Sequence, residues 1–289
     1  MKVLIIGAGF IAKSIIQELH AKGYEVATYS RSPRNFRDCQ EFLGDIFDFE
    51  DVIKALSWSP QVVIHTAWIT TPGLYKSDTS NFDYARFTKR LATHLLNSDV
   101  EHLIVLGTCA EYGLQNKPII AGKTPLNPRI LYAEQKVWAF NEVSKILGDS
   151  SIHFNWARIF YPYGPGQDKK RLIPQLFHAL STGADIQLAD TTSVHDWTTS
   201  RDVASAISWL IEHRLPAEID IGTSFGYTNV QLLLKLADKL EIPYKLSDTN
   251  SKSFGLGEFF VVSEESPILK SGWTPRDTII TGLEWALSL

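Results

Sequence analysis

Short apolar runs alternate along most of the chain with longer segments in which apolar residues recur every three to four positions. Lys2 to Ile6, Tyr24 to Tyr29, Gln61 to His65, His102 to Leu106, Ile152 to Phe160 and Glu218 to Ile221 have the length and apolar content of strands. Ile11, Ile15 and Leu19 share one helical face, as do Tyr84, Phe87, Leu91 and Leu95 within a helix expected over 81–97. A helix over 130–147 is apolar on so much of its surface that it needs cover on more than a sheet side. Further helices are expected over 172–181, in the segment that runs from Val194 to Ile211, over 229–240, and after Trp273-Thr274-Pro275, with a weak strand over 259–262. This is an α/β pattern.

The run Tyr161-Pro162-Tyr163-Gly164-Pro165-Gly166-Gln167 is too rich in proline and glycine for a helix or strand, and marks the exit from the first unit. We expect a nucleotide-binding unit over 1–160 and a smaller substrate lobe over 161–289, with 195–224 returning to the core. No internal repeat or low-complexity linker interrupts this plan.

Composition narrows the partners. The 289 residues are 44% hydrophobic and carry a formal net charge of -4, and no basic run is longer than Lys169-Lys170-Arg171, so nucleic acid is not the expected partner. The first strand reaches glycine at Gly7, too early for the apolar part of a signal peptide, and no run approaches the roughly 18 apolar residues of a membrane span. Cys39 and Cys109 build no disulfide framework, and no Cys/His cluster has zinc-like spacing. A reduced, cytoplasmic, metal-free protein is expected.

Candidate chemistry gathers in a few places. Tyr132 and Lys136 form the sole Tyr-x-x-x-Lys pair, one turn apart on the helix over 130–147. An ammonium beside a phenol favours the phenolate, which makes Tyr132 a candidate general acid or base. Gly7-Ala8-Gly9-Phe10-Ile11-Ala12 joins the first strand to the first helix: Gly7 permits the tight turn, Gly9 permits close approach of a pyrophosphate, and Ala12 is small enough for helix–strand packing. At the end of the second strand, Ser30-Arg31-Ser32-Pro33-Arg34 lacks the acid that commonly holds the ribose of NAD, and arginine suits a phosphate, so NADP(H) is preferred and NAD(H) is possible. Asp45 reads equally as a turn or cap residue, and His65, on an apolar strand, as a structural histidine. Ala67 is small enough for a flat ring to approach the end of its strand. Thr108 belongs at the C-terminal end of the strand that starts at His102, where a parallel sheet binds ligands.

In order along nearly the whole chain come the glycine turn, Gly44-Asp45, His65-Thr66-Ala67, Thr108 four residues before Tyr112-Gly113, Tyr132 with Lys136, Arg158 ahead of Tyr163-Gly164-Pro165, Asp196 with Asp202-Val203, and Gly272-Trp273-x-Pro275. This series resembles the extended short-chain dehydrogenase/reductase family of nucleotide-sugar epimerases, dehydratases and ketoreductases. The resemblance implies a Rossmann-like, doubly wound parallel sheet with a smaller interleaved C-terminal lobe. It implies a catalytic triad of Thr108, Tyr132 and Lys136, in which Tyr132 exchanges a proton with a substrate oxygen, Lys136 holds the ribose and depresses the tyrosine pKa, and Thr108 orients the substrate. By the same resemblance Gly7, Gly9, Phe10 and Ile11 line the pyrophosphate, Asp45 and Ile46 the adenine, and Ala67 the nicotinamide side.

The chain also departs from the family. Ile6 and Ala12 stand where glycines are common. Cys109-Ala110 replaces the Asp-Glu pair of the 4,6-dehydratases, which disfavours dehydration. His195 stands where many members have arginine, and Tyr161 where many have a substrate-binding asparagine, so both are candidate substrate contacts of altered chemistry. The expected activity is reduction of a keto group on a nucleotide-linked deoxysugar with NADPH. The alternative is a 4-epimerase with tightly bound NAD, and a third reading is a non-catalytic sensor of the dinucleotide. The two apolar helices, with the family resemblance, point to a homodimer.

Overall fold

The computed structural model describes residues 1–188, 190–244 and 260–287. In chain order the structure begins with β1 (Lys2–Ile6), α1 (Phe10–Ala21), β2 (Glu25–Ser30), β3 (Gln40–Leu43), α2 (Phe49–Leu56), β4 (Val62–His65), α3 (Asn81–Leu95), β5 (His102–Thr108), a 3-10 turn (Cys109–Tyr112), α4 (Leu131–Leu147) and β6 (His153–Ile159). There follow β7 (Pro162–Tyr163), α5 (Leu172–Thr182), β8 (Val194–Asp196), β9 (Thr198–Thr199), α6 (Ser200–Glu212), β10 (Glu218–Ile221), β11 (Gly226–Thr228), α7 (Asn229–Leu240), β12 (Phe260–Val261), α8 (Pro267–Lys270) and α9 (Ile279–Leu287).

Seven strands form one parallel sheet in the order β10-β6-β5-β4-β1-β2-β3. The chain winds outward from β1 in both directions, which makes the sheet doubly wound and puts a crevice at the C-terminal ends of β1 and β4. Register aligns those ends: Ile6 pairs with Tyr29 and His65, and Thr108 with Ile159. One rim therefore carries Gly7, Thr66, Ala67 and Thr108.

Both faces of the sheet are covered, so its strands are apolar on both sides. Leu4, Ile6, Val63, Leu103 and Val105 pack against α2, α3 and α4, and Val3, Ile5, Ile64, Ile104 and Ala157 against α1 and α6. At the α1–α6 contact Ser14 and Ser200 share a hydrogen bond of 2.8 Å. A separate cluster of Leu176, Leu180, Leu232, Leu236 and Leu283 joins α5, α7 and α9, while β11, β8 and β12 form a small second sheet.

Several expected boundaries move by one or two residues, and β3, α2, β8, β9, β11, α8, the 3-10 turn and β7 are additional, β7 being a two-residue strand inside the Pro/Gly-rich run 161–167 where none was expected. β3 is an edge strand with partly exposed residues and α2 has only two turns, so neither imposes a long periodic pattern. α2 is fixed by its start, where the Asp48 carboxylate accepts the Glu50 N–H. Of the strand expected over 259–262, Phe260 and Val261 are paired with β8, and Phe259 lies outside the described residues. The apolar surplus of α4 is covered on one side by α3, leaving Trp138 37% exposed.

Candidate active site

The glycine turn is built for close approach. Gly7 has φ +108°, and a Cβ there would lie 2.5 Å from Thr66 Oγ1 and 2.7 Å from the Ala67 nitrogen. Only glycine fits this contact between the ends of β1 and β4. At Gly9 a Cβ would meet nothing within 4 Å, and Gly9 caps α1 without any side-chain hydrogen bond or acidic residue in the first turn. Phe10 and Ile11 open the helix. The N-terminus of a three-turn helix thus faces open space with its dipole uncompensated by side chains, a setting that fits a pyrophosphate.

The adenosine end is less uniform. Gly7 N–H donates to Tyr29 O, Gly44 N–H to Ser30 O, and Ser30 Oγ to Ser32 O, so Ser30 is used in shaping the loop. Glu41, the acid of β3 closest to this loop, accepts the backbone N–H groups of Arg34 and Phe36. Its carboxylate is therefore already engaged. Arg31 is exposed, and its charge acts on the Tyr84 phenol together with the opposing charge of Asp45. Asp45 accepts the Phe47 N–H and holds a turn, while Ile46 is 8% exposed and belongs to the core beside Phe49. His65 is buried, bonded through Nε2 to Thr88 Oγ1 at 2.9 Å, and burial pushes its pKa down to about 3, which keeps it neutral.

Thr108, Tyr132 and Lys136 come together although 24 residues separate the first two in sequence. The Thr108 side chain neighbours the Tyr132 phenol and acts on it as a hydrogen-bonding group. Lys136 is 4% exposed, and its Nζ donates to the Leu106 carbonyl at 2.5 Å and lies 3.8 Å from the centroid of the Trp68 ring. Trp68 also meets Tyr132 edge-on at 6.3 Å, and Tyr75 meets it edge-on at 5.1 Å. Trp68 is anchored through Nε1 to Asn81 Oδ1 at 2.7 Å.

The electrostatics differ from the expectation drawn from helical spacing alone. Desolvation raises the Tyr132 pKa rather than lowering it, and the Thr108 side chain is what opposes the rise. Desolvation also brings the Lys136 ammonium down to about 7. The ammonium is turned to the Leu106 carbonyl and the Trp68 face, so in this state its charge does not act chiefly on the phenol. Apolar aromatic walls give the cleft a low dielectric, in which any charge that develops is felt strongly.

At the C-terminal side of Thr108, burial pushes the Cys109 thiol pKa up to about 12, against the opposing effect of the Tyr161 backbone. Tyr161 has φ 22°, outside the range a bulky residue ordinarily adopts, and its ring meets His195 at 4.3 Å and Trp197 at 5.3 Å. His195 is 9% exposed, its Nδ1 has no partner among the described residues, and burial lowers its pKa. The two candidate substrate residues therefore form one aromatic wall beside the threonine. Asp196 is turned away from it, accepting Thr223 N–H and Oγ1–H, Ser224 N–H and Ser263 N–H.

The chain belongs to the NAD dependent epimerase/dehydratase family, whose sequence profile matches residues 3–222. It is 25% identical to the UDP-glucose 4-epimerase of Lactobacillus helveticus, an alignment covering 99% of this chain and 97% of that protein. Among solved structures, MoeE5 in complex with UDP-glucose and NAD superposes with a TM-score of 0.84 at 23% identity, covering 99% of this chain and 97% of MoeE5. The UDP-glucose 4-epimerase of Thermus thermophilus in complex with NAD gives 0.84 at 21% identity, with the same coverage of 99% and 97%. The chain is thus an enzyme of the epimerase or dehydratase type on a Rossmann-like fold.

Two residues of the site lay outside the sequence reading. Trp68 follows Ala67 immediately, but nothing local says that its ring will cover Lys136. Glu111 completes a Thr-x-x-Glu spacing with Thr108, a capping-box pattern that does signal a backbone contact.

Proposed function

We propose that this protein moves a hydride between a nicotinamide dinucleotide and a secondary alcohol or keto carbon of a nucleotide-linked sugar. The observation that carries the reading is the meeting of the Thr108 and Tyr132 hydroxyls at the C-terminal end of β5, on the same rim as the glycine turn. The bound dinucleotide supplies the hydride acceptor or donor. Tyr132 holds and moves the proton at the sugar oxygen, Thr108 orients that oxygen, and Lys136 offers its ammonium to the ribose and the phenol. Gly7, Gly9, Phe10 and Ile11 cradle the pyrophosphate, Ala67 leaves room for the nicotinamide, and Asp45 and Ile46 border the adenine. Tyr161 and His195 present an aromatic, uncharged wall to the substrate, carried by a lobe over 161–289 with 195–224 returned to the core.

Reduction of a keto-sugar with NADPH is put first because its support lies in this chain's own residues: Arg31 is exposed at the end of β2, Glu41 is already engaged by backbone N–H groups, and Cys109-Ala110 supplies no acid–base pair for dehydration. A 4-epimerase that retains NAD is the second reading, favoured by the full-length likeness to a UDP-glucose 4-epimerase. Ligand released from the denatured protein separates the two. Retained NAD, with interconversion of a UDP-sugar and no net cofactor use, supports the epimerase. An empty protein that binds NADPH better than NADH and oxidises it stoichiometrically with a 4-keto sugar nucleotide supports the reductase. Arg31→Ala then loses NADPH affinity by about tenfold while NADH is unaffected. Absence of binding to either dinucleotide overturns both. We further propose a cytoplasmic homodimer joined through α3 and α4, where Phe82 and Trp138 are exposed. Among the described residues no helix is long and apolar enough to cross a membrane.

A further inference from the structure

Thr108 is gripped from the core side by a carboxylate that is fully buried. Glu111 accepts the Thr108 backbone N–H on Oε1 at 2.8 Å, the Trp156 Nε1–H on both oxygens at 3.0 Å, and the Arg158 Nε–H on Oε2 at 2.6 Å. It stands one residue beyond the dehydratase pair positions, and its bonds run into the sheet. The Trp156 indole that donates to Glu111 also has the Lys136 ammonium 5.7 Å from its ring centroid. One indole therefore lies between the reach of a buried anion and that of a buried cation.

We infer that Glu111 is a positioning residue for the reaction: it fixes the end of β5 through the Thr108 amide and supplies the buried negative charge that keeps Lys136 an ammonium. The inference rests on Thr108, Tyr132 and Lys136 being the reacting set, and adds a group that touches neither substrate nor cofactor.

The charge count around the site supports it. Glu111 of the 3-10 turn and Glu218 of β10 both pair with Arg158 of β6, leaving one negative charge over. Lys136 of α4 balances that charge. Asp220 of β10, bonded to the Tyr112 phenol, is pushed up to about 7 by burial, and His65 of β4 is neutral. Tyr132, on the same helix as Lys136, is held protonated by desolvation. With glutamine at 111, Glu218 alone would satisfy Arg158, and Lys136 would stand as a lone buried cation. Burial already draws Lys136 down to about 7, and Glu111 is the charge that opposes the fall.

The test reads Lys136 directly, in protein free of cofactor, so it is independent of whether the substrate has been identified. Lysine side-chain carbons are labelled with 13C, the Lys136 signal is assigned by its loss in Lys136→Met, and its titration midpoint is followed by NMR. In Glu111→Gln the midpoint falls by at least about half a pH unit. Glu111→Asp keeps the charge but withdraws it from the Thr108 amide, so the midpoint stays near that of the parent while kcat drops about tenfold or more at unchanged cofactor affinity. An unmoved midpoint in Glu111→Gln overturns the electrostatic role. Should that variant not fold, a midpoint that falls in Glu111→Asp as far as half a unit overturns it equally, because the charge is still present. Unchanged kcat in Glu111→Asp overturns the role toward Thr108. If the parent protein reduces or epimerises no sugar nucleotide while the midpoint shifts as stated, the proposed reaction fails and the charge assignment stands.

Discussion

The Lys136 ammonium lies 3.8 Å from the centre of the Trp68 ring, on the same side of the sheet as the Tyr132 phenol that meets Trp68 edge-on. A cation on an aromatic face is stabilised by the ring quadrupole, by about 2 kcal/mol when desolvated. Burial without a direct carboxylate partner costs more than this. The folded pKa near 7 is below the ordinary lysine value near 10.5, so between those two values the unfolded chain binds the extra proton and stability rises with pH. Below pH 7 the full penalty, on the order of 5 kcal/mol, is present. Lys136→Met is therefore expected to melt several degrees higher than the parent at pH 6, with the gap closing by pH 10. Calorimetry at the two pH values checks it, and a variant less stable than the parent at pH 6 contradicts it.

Tyr132→Phe removes the group that moves the proton and keeps the ring that packs on Trp68 and Tyr75. The expected result is an unchanged melting temperature and a kcat lower by roughly 10²–10⁴-fold. Turnover within a few-fold of the parent would remove Tyr132 from the chemistry.

Gly7→Ala and Gly9→Ala separate fold from cofactor. At Gly7 the added methyl collides with Thr66 Oγ1 and the Ala67 backbone, and the positive φ adds strain, so a loss of about 2 kcal/mol or more is expected. At Gly9 it enters open space, so stability is kept and dinucleotide affinity falls. Chemical denaturation and a fluorescence titration with the dinucleotide read the two effects. Equal affinity in Gly9→Ala and the parent would move the pyrophosphate elsewhere.

Arg158→Met leaves the buried Glu111 carboxylate without its direct ion-pair partner. Both side chains are fully buried, and removing one partner of such a pair costs roughly 3–5 kcal/mol. The double variant Glu111→Gln/Arg158→Met is expected to recover part of that loss. Urea unfolding of the single and double variants measures the coupling, and strict additivity would mean that the pair is not coupled.

The strand–helix alternation, the glycine turn and the Tyr132–Lys136 spacing are legible in the chain alone, because each is local: a run of four to six apolar residues, a backbone conformation that needs glycine, and one turn of helix. β3 and α2 were not legible, being short and partly exposed, with little burial to impose a pattern. The charge state of the site emerges only on folding. Trp68 arrives from the loop after β4, Glu111 from the turn after β5 and Arg158 from β6, and together they set how far Lys136 and Tyr132 are removed from water. Helical spacing puts the ammonium beside the phenol, but desolvation depends on what packs around both groups. That packing is assembled from residues distant in the chain.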